Sequence, residues 1–106
     1  MTSEELTKIA VAALEDRKGT DIKTYDVRGV SGLTDFFVVA TGSAAPHLKA
    51  LITETQHAMR DNGVKDYRVS GDPESGWIVV DYIDVVVHVF SPEARAYYAL
   101  EKLWTK

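Results

Sequence analysis

The sequence has no cysteine, only three prolines and no long apolar run. Without cysteine the chain can form neither a disulfide framework nor a thiolate metal site. No stretch approaches the roughly 18 apolar residues that a membrane-spanning helix needs. The first 20 residues carry four acidic side chains and no continuous apolar segment, so we expect no signal peptide. These absences predict a soluble protein of the cytoplasm.

The charge balance is acidic, because 16 Asp and Glu residues outnumber 12 Lys and Arg residues and give a net charge of −4. This balance disfavours the neutralisation of phosphates as the main binding force, so nucleic acid is at most a peripheral partner. The 106 residues, of which 45% are apolar, suffice for one hydrophobic core. We therefore predict a single domain over residues 1–106.

Three segments have the apolar spacing of an amphipathic helix. The first two end at glycines, Gly19 and Gly63, whereas the third runs through Leu100 and Trp104 to the chain end. In the third helix, Tyr97 and Tyr98 are expected to pack in the core and at the helix end. The predicted caps and first-turn residues are Thr2 with Glu5 as a capping box, Ser43 or a neighbour with Pro46, and Ser91 with Pro92.

Five segments between the helices are predicted to be strands, at residues 22–27, 36–40, 67–69, 77–80 and 85–90. The second is apolar at both its odd and its even positions, as expected of a strand covered on both faces. The helix after it is long enough for a crossover to a parallel strand. The last three strands should form a meander. The pattern predicts an α/β (α+β) fold: a single mixed β-sheet of about five strands flanked by three helices, in the order α-β-β-α-β-β-β-α.

The last predicted hairpin gathers the unusual side chains. A two-residue turn at residues 82–83 would place Asp81 opposite Asp84 and Trp77 opposite His88. Because side chains alternate along a strand, one face of this hairpin is then a plain aliphatic core face. The other face holds the six candidate site residues, Trp77, Val79, Asp81, Asp84, Val86 and His88.

An aromatic anchor beside small apolar side chains, with carboxylates at the rim, is typical of a protein-binding hot spot. Two adjacent carboxylates repel each other unless water, a turn amide or a basic partner reaches them. The alternative is that a helix covers Trp77 and Val86 while the two aspartates cap the turn. The residues leave both interpretations open.

An enzymatic interpretation is a nucleotide- and metal-binding site at Gly42, Ser43, Asp81 and Asp84. The two aspartates could hold a divalent cation with His88 or His47, and the strand-to-helix junction at Gly42 could bind phosphate. Neither the GxGxxG nor the Walker pattern is present, however. Aspartates beside a tight turn more often bond backbone amides, and His47 fits an exposed or capping residue. We therefore predict no cofactor, no metal and no catalytic residue.

Several motifs follow one another in the same order as in a known protein family, and the match spans nearly the whole chain. The motifs are residues 34–43 (TDFFVVATGS), 77–81 (WIVVD), 84–90 (DVVVHVF) and 100–104 (LEKLW). This order resembles the ribosomal silencing factors, the Iojap-related family. His47 lies where that family often carries His or Gln. Ile83 departs from the pattern, because the family usually has Gly before the second aspartate.

The resemblance implies a nucleotidyltransferase-like fold without catalysis, since Gly42-Ser43 is followed by Glu54 alone instead of a paired acidic motif. It further implies a translational repressor that is not an enzyme. Such a repressor would bind the fourteenth protein of the large ribosomal subunit at the subunit-joining face, block association with the small subunit, and reduce translation in starvation or stationary phase. A homodimer of the free protein through the Trp77 face is a further alternative.

Overall fold

The computed structural model describes residues 1–30, 32, 34–99 and 102. Its elements are α1 (Ser3–Asp16), β1 (Thr20–Asp26), β2 (Phe36–Thr41), α2 (Ala45–Asp61), β3 (Arg68–Asp72), a 3-10 turn (Pro73–Ser75), β4 (Trp77–Asp81), β5 (Val85–Phe90) and α3 (Pro92–Tyr98). The strands form one sheet in the order β1-β2-β5-β4-β3. Strands β2 and β5 run parallel, and the other neighbouring pairs are antiparallel. The predicted mixed sheet, the edge position of the first strand and the final meander are confirmed.

Helices α1 and α2 cover one face of the sheet with their apolar stripes. Leu14, Leu48 and Leu51 are fully buried there against Val38 and Val87 of the two parallel strands. Burial of one such aliphatic side chain contributes about 1.5–3 kcal/mol. This layer therefore carries the main core. No helix in the described part of the chain is both long enough and apolar enough to cross a membrane.

Helix α1 begins as predicted but ends through a different residue. The Glu5 N–H donates to Thr2 Oγ1 at 3.1 Å, and the Thr2 N–H donates to Glu5 Oε1 at 2.8 Å, which completes the capping box. At the other end Lys18, and not Gly19, takes the left-handed conformation at φ 65°. The N–H groups of Lys18 and Gly19 donate to carbonyls of the last helical turn at 3.0 and 2.8 Å, which is a Schellman motif.

Helix α2 is tied to α1 by a histidine. Its N-cap is Ala44, a neighbour of Ser43, and this alanine offers no side-chain cap. Instead, His47 Nδ1 accepts the Ser43 N–H at 2.9 Å, so its proton lies on Nε2, which donates to the Arg17 carbonyl at 2.7 Å. His47 thus joins the start of α2 to the end of α1. The predicted stop at Gly63 is confirmed, with φ 83°.

Helix α3 lies on the opposite face of the sheet and is shorter than predicted. It ends at Tyr98, because Ala99 takes a left-handed conformation at φ 48°. Leu100 and Trp104, which the sequence assigned to this helix, lie outside the described residues. Arg95 anchors α3 to the strand ends, since its Nη1 donates to the Asp21 carbonyl and to Thr41 Oγ1, both at 2.7 Å.

Candidate functional site

The β4–β5 hairpin has the predicted faces but a different register. The predicted pairing of Asp81 with Asp84 is wrong by two residues, and Asp84 lies in the turn. A shift of two residues preserves the alternation of side chains, whereas a shift of one would have exchanged the faces. The observed cross-strand pairs are Trp77 with Phe90, Val79 with His88, and Asp81 with Val86.

The turn between these strands places Ile83 at φ 74°, a region that β-branched residues rarely adopt. Asp81 Oδ1 accepts the Ile83 N–H at 2.7 Å, and the Asp84 N–H donates to the Tyr82 carbonyl at 2.9 Å. Asp81 therefore caps the turn, as the alternative interpretation of the sequence has it. The Asp84 side chain is exposed at the same end of the hairpin.

The sheet face opposite α1 and α2, called the open face below, is covered at one end only by the described residues. There Ala94 of α3 packs on Val39 and Phe90, which are fully buried. The side chains that β2, β4 and β5 place on the open face nearer the β4–β5 turn are half-buried. Strand register and ring contacts place on it Tyr25, Phe37, Val39, Trp77, Val79, Asp81, Val86, His88, Phe90 and Tyr98, together with Lys23, Arg68, Ser70 and Asp72 of the two edge strands.

Trp77 lies half-buried in an aromatic cluster on the open face and is not sealed beneath a helix. Its ring centroid lies 4.7 Å from that of Tyr98 and 5.2 Å from that of Phe90, with the Phe90 ring inclined by 21°. Tyr98 is 44% exposed and Tyr97 is 82% exposed. The expectation of core packing is wrong for Tyr97, because the short α3 leaves its outer side to solvent, whereas Tyr98 packs at the helix end against Trp77 and Phe90 as expected. The two tyrosines extend the accessible aromatic surface beside Trp77.

His88, which the sequence suggested as a partner contact, is buried, with only 6% of its surface exposed. Its Nδ1 accepts a hydrogen bond from the Trp77 Nε1–H at 3.2 Å, which places the imidazole proton on Nε2. Burial lowers the pKa of His88 to about 4, and the Asp81 carboxylate opposes this shift. The imidazole is therefore neutral near pH 7 and supports Trp77 from within the sheet.

The free energy of unfolding is expected to fall as the pH decreases from 6.5 to about 4. In this window the unfolded chain protonates His88 and the folded chain does not, so the loss totals roughly 2–3 kcal/mol. Denaturant titrations of the wild type and of His88→Asn at several pH values between 6.5 and 4 would measure this loss in the free energy of unfolding. The variant should lose less stability over the same range, and equal pH dependences would contradict a neutral buried imidazole.

The nucleotide-and-metal hypothesis requires four residues to meet: Gly42, Ser43, Asp81 and Asp84. The Asp35 N–H donates to the Asp84 carbonyl at 3.0 Å, at the start of β2. Gly42 follows the end of β2, where its N–H donates to the Phe90 carbonyl at 2.9 Å. Strand β2 and its flanking residues separate the two places by about 23 Å, seven residues of extended chain. The four residues therefore do not converge, and residues 1–30, 32, 34–99 and 102 contain no cluster of three metal-ligating side chains.

The family model described as ribosomal silencing factor during starvation matches residues 1–106. A Bacillus subtilis relative named ribosomal silencing factor RsfS is 38% identical over 98% of this chain and 88% of its own length. A crystal structure of a Chromobacterium violaceum protein superposes with a TM-score of 0.92 at 42% identity, covering 98% of this chain and 87% of that one.

A mouse relative is named mitochondrial assembly of ribosomal large subunit protein 1. It is 30% identical, and the match covers 90% of this chain and 43% of the mouse protein. Family model, bacterial relative and solved structure agree over nearly the full chain. The chain therefore belongs to the ribosomal silencing factor family.

Proposed function

We propose that this chain represses translation by binding the large ribosomal subunit through its open face, which keeps the small subunit from joining. The observation that carries the proposal is the end of that face which the described residues leave uncovered, where Phe37, Trp77, Val79 and Val86 lie half-buried together. A contiguous apolar patch with a polar rim is typical of an interaction site. Membership in a family described as ribosomal silencing factors supports the ribosome as the partner.

The proposed contact is a ribosomal protein, the fourteenth of the large subunit, as the family resemblance implies. The chain carries a net charge of −4, and Asp81 and Asp84 lie at the end of the open face near the turn, with Arg68 of β3 opposite Asp81. Ribosomal proteins are typically basic, so their cations would be attracted to this carboxylate rim while RNA phosphates would be repelled. The name of the mouse relative supports the large subunit in particular.

The proposed mechanism is occupancy and needs no catalysis. The described part of the chain measures 34 × 32 × 21 Å. A body of this size on the joining surface prevents the close contact that two ribosomal subunits require. We place this action in the cytoplasm, where translation takes place.

A subunit-joining experiment tests the proposal. Purified large subunits are incubated with the chain, small subunits are added, and joined ribosomes are quantified by sedimentation. The chain should sediment with large subunits and reduce joining, and it should act less on ribosomes joined beforehand. Undiminished joining by saturated large subunits would refute occupancy, and failure to sediment with them would refute the partner.

The exposed carboxylate of Asp84 is expected to speed association. Replacing Asp84 with lysine should slow binding to large subunits roughly three- to tenfold at low salt, with a smaller effect at high salt, because a rim charge acts mainly on the association rate. Stopped-flow or surface-based kinetics would measure it. Asp16→Lys, which changes the net charge equally but lies at the end of α1, is the matched control. Equal slowing by both variants would show a general charge effect instead of a carboxylate rim.

A further inference from the structure

The indole N–H of Trp77 already has a partner inside the protein. We propose that His88 is a positioning residue for docking: it fixes the indole of Trp77 on the open face and withdraws its N–H from the interface. This inference rests on the proposed function and specifies which chemistry the partner brings to Trp77.

His88 can act as a fixed acceptor because it lies in the middle of the sheet. It is opposite Val79 of β4 and beside Val39 of β2, so its backbone is held from both sides. Its ring lies within 5° of parallel to that of Phe90 and 5.3 Å from that of Phe37. A side chain packed in this way has little rotamer freedom left to lose when a partner binds.

Trp77, in contrast, is the first residue of β4 and is only half-buried. Its ring lies diagonally across from His88, with 6.0 Å between the centroids and 26° between the planes. The strand backbone alone would allow the indole several rotamers. The 3.2 Å hydrogen bond to His88 Nδ1 selects one of them. A hot-spot side chain that is ordered before binding pays less conformational entropy on docking.

The Trp77–His88 hydrogen bond also determines which kind of partner side chain suits Trp77. Because the indole N–H is satisfied internally, Trp77 presents a ring surface and edge instead of a hydrogen-bond donor. An aliphatic group or the stem and cation of Arg or Lys suits this surface, whereas a carbonyl or carboxylate aimed at Trp77 would find no donor. A basic protein supplies such side chains.

The bond itself can be tested in the free, unmodified chain by NMR. The Trp77 indole Nε1–H resonance, assigned by its disappearance in Trp77→Phe, should be shifted downfield and exchange slowly with water. Fast exchange at the rate of an exposed indole would overturn the proposal without any variant of His88.

Two variants then connect the bond to docking. His88→Asn keeps an acceptor atom at the position of Nδ1, and His88→Leu removes it in a side chain of similar size. Equilibrium binding to purified large subunits should weaken about tenfold for His88→Leu, the effect of one buried hydrogen bond, and less than threefold for His88→Asn. Wild-type affinity in a folded His88→Leu chain, or equal losses in both variants, would overturn the positioning role.

A double-mutant cycle separates positioning from general damage to the sheet. In the Trp77→Phe background, which has no indole N–H, replacing His88 with leucine should weaken binding by less than twofold further. A full additional tenfold loss would mean that His88 acts through something other than Trp77. If the wild type itself fails to bind large subunits, the proposed function fails, and the NMR result still decides whether the hydrogen bond exists.

Discussion

Replacing Trp77 with alanine is expected to weaken binding to purified large ribosomal subunits by at least about thirtyfold. This corresponds to about 2 kcal/mol, the loss typical of an aromatic hot-spot residue. The indole is the largest side chain on the open face and contacts Tyr98, Phe90 and His88. Its removal takes away the ring surface offered to the partner and loosens its neighbours. Binding is measured by cosedimentation at a temperature where circular dichroism shows the variant folded.

A pair of tyrosines supplies the matched control. Tyr98 and Tyr67 are 44% and 48% exposed, but only Tyr98 contacts Trp77. Tyr67 lies on the other side of the sheet, with its ring centroid 5.7 Å from that of Tyr82. Tyr98→Ala should weaken binding about tenfold, and Tyr67→Ala less than twofold. Equal effects of the two would show that the open face is not the docking surface.

Replacing Gly71 with alanine is expected to cost about 3 kcal/mol or more of the free energy of unfolding. Gly71 adopts φ 81°, and a Cβ there would overlap the carbonyl oxygen of Trp77 on the neighbouring strand. The β3–β4 pairing must separate to relieve the overlap. In a domain of this size the loss lowers the melting temperature by roughly 12 °C or more. Thermal and denaturant unfolding would measure both quantities.

Gly63 provides a control for backbone conformation alone. Its φ of 83° nearly equals that of Gly71, but a Cβ at Gly63 has no neighbour within 4 Å. Gly63→Ala should therefore cost only about 1 kcal/mol, the strain of a left-handed non-glycine residue. Comparable losses in the two variants would contradict the close approach of β3 to β4.

Side-chain periodicity explains why the fold and the open face could be predicted from the sequence. Alternation in strands β4 and β5 assigned Trp77, Val79, Asp81, Val86 and His88 to one face, and the two-residue error in register left that assignment unchanged. The capping box at Thr2 and the stop at Gly63 are likewise local patterns with local causes.

Other features depend on contacts that local patterns do not encode. The family resemblance drew attention to Ile83, and the hairpin closes around this residue through backbone hydrogen bonds and through Asp81, which accepts its N–H. The burial of His88 follows from its position between β2 and β4, which no local spacing reveals. The exposure of Tyr97 depends on where α3 ends. Helical periodicity continues past Tyr98, whereas the backbone turns at Ala99.

The position of β5 also has a consequence for how the chain folds. This strand lies between β2 and β4 but is the last of the described strands in the sequence. Before β5 is synthesised, the chain can form two separate antiparallel pairs, β1 with β2 and β3 with β4. These two pairs have no sheet contact with each other. The nascent chain therefore completes its sheet only after residue 90 has been synthesised, and these long-range pairings favour slow, late folding. Until then the aliphatic edges of β2 and β4 remain open to aggregation.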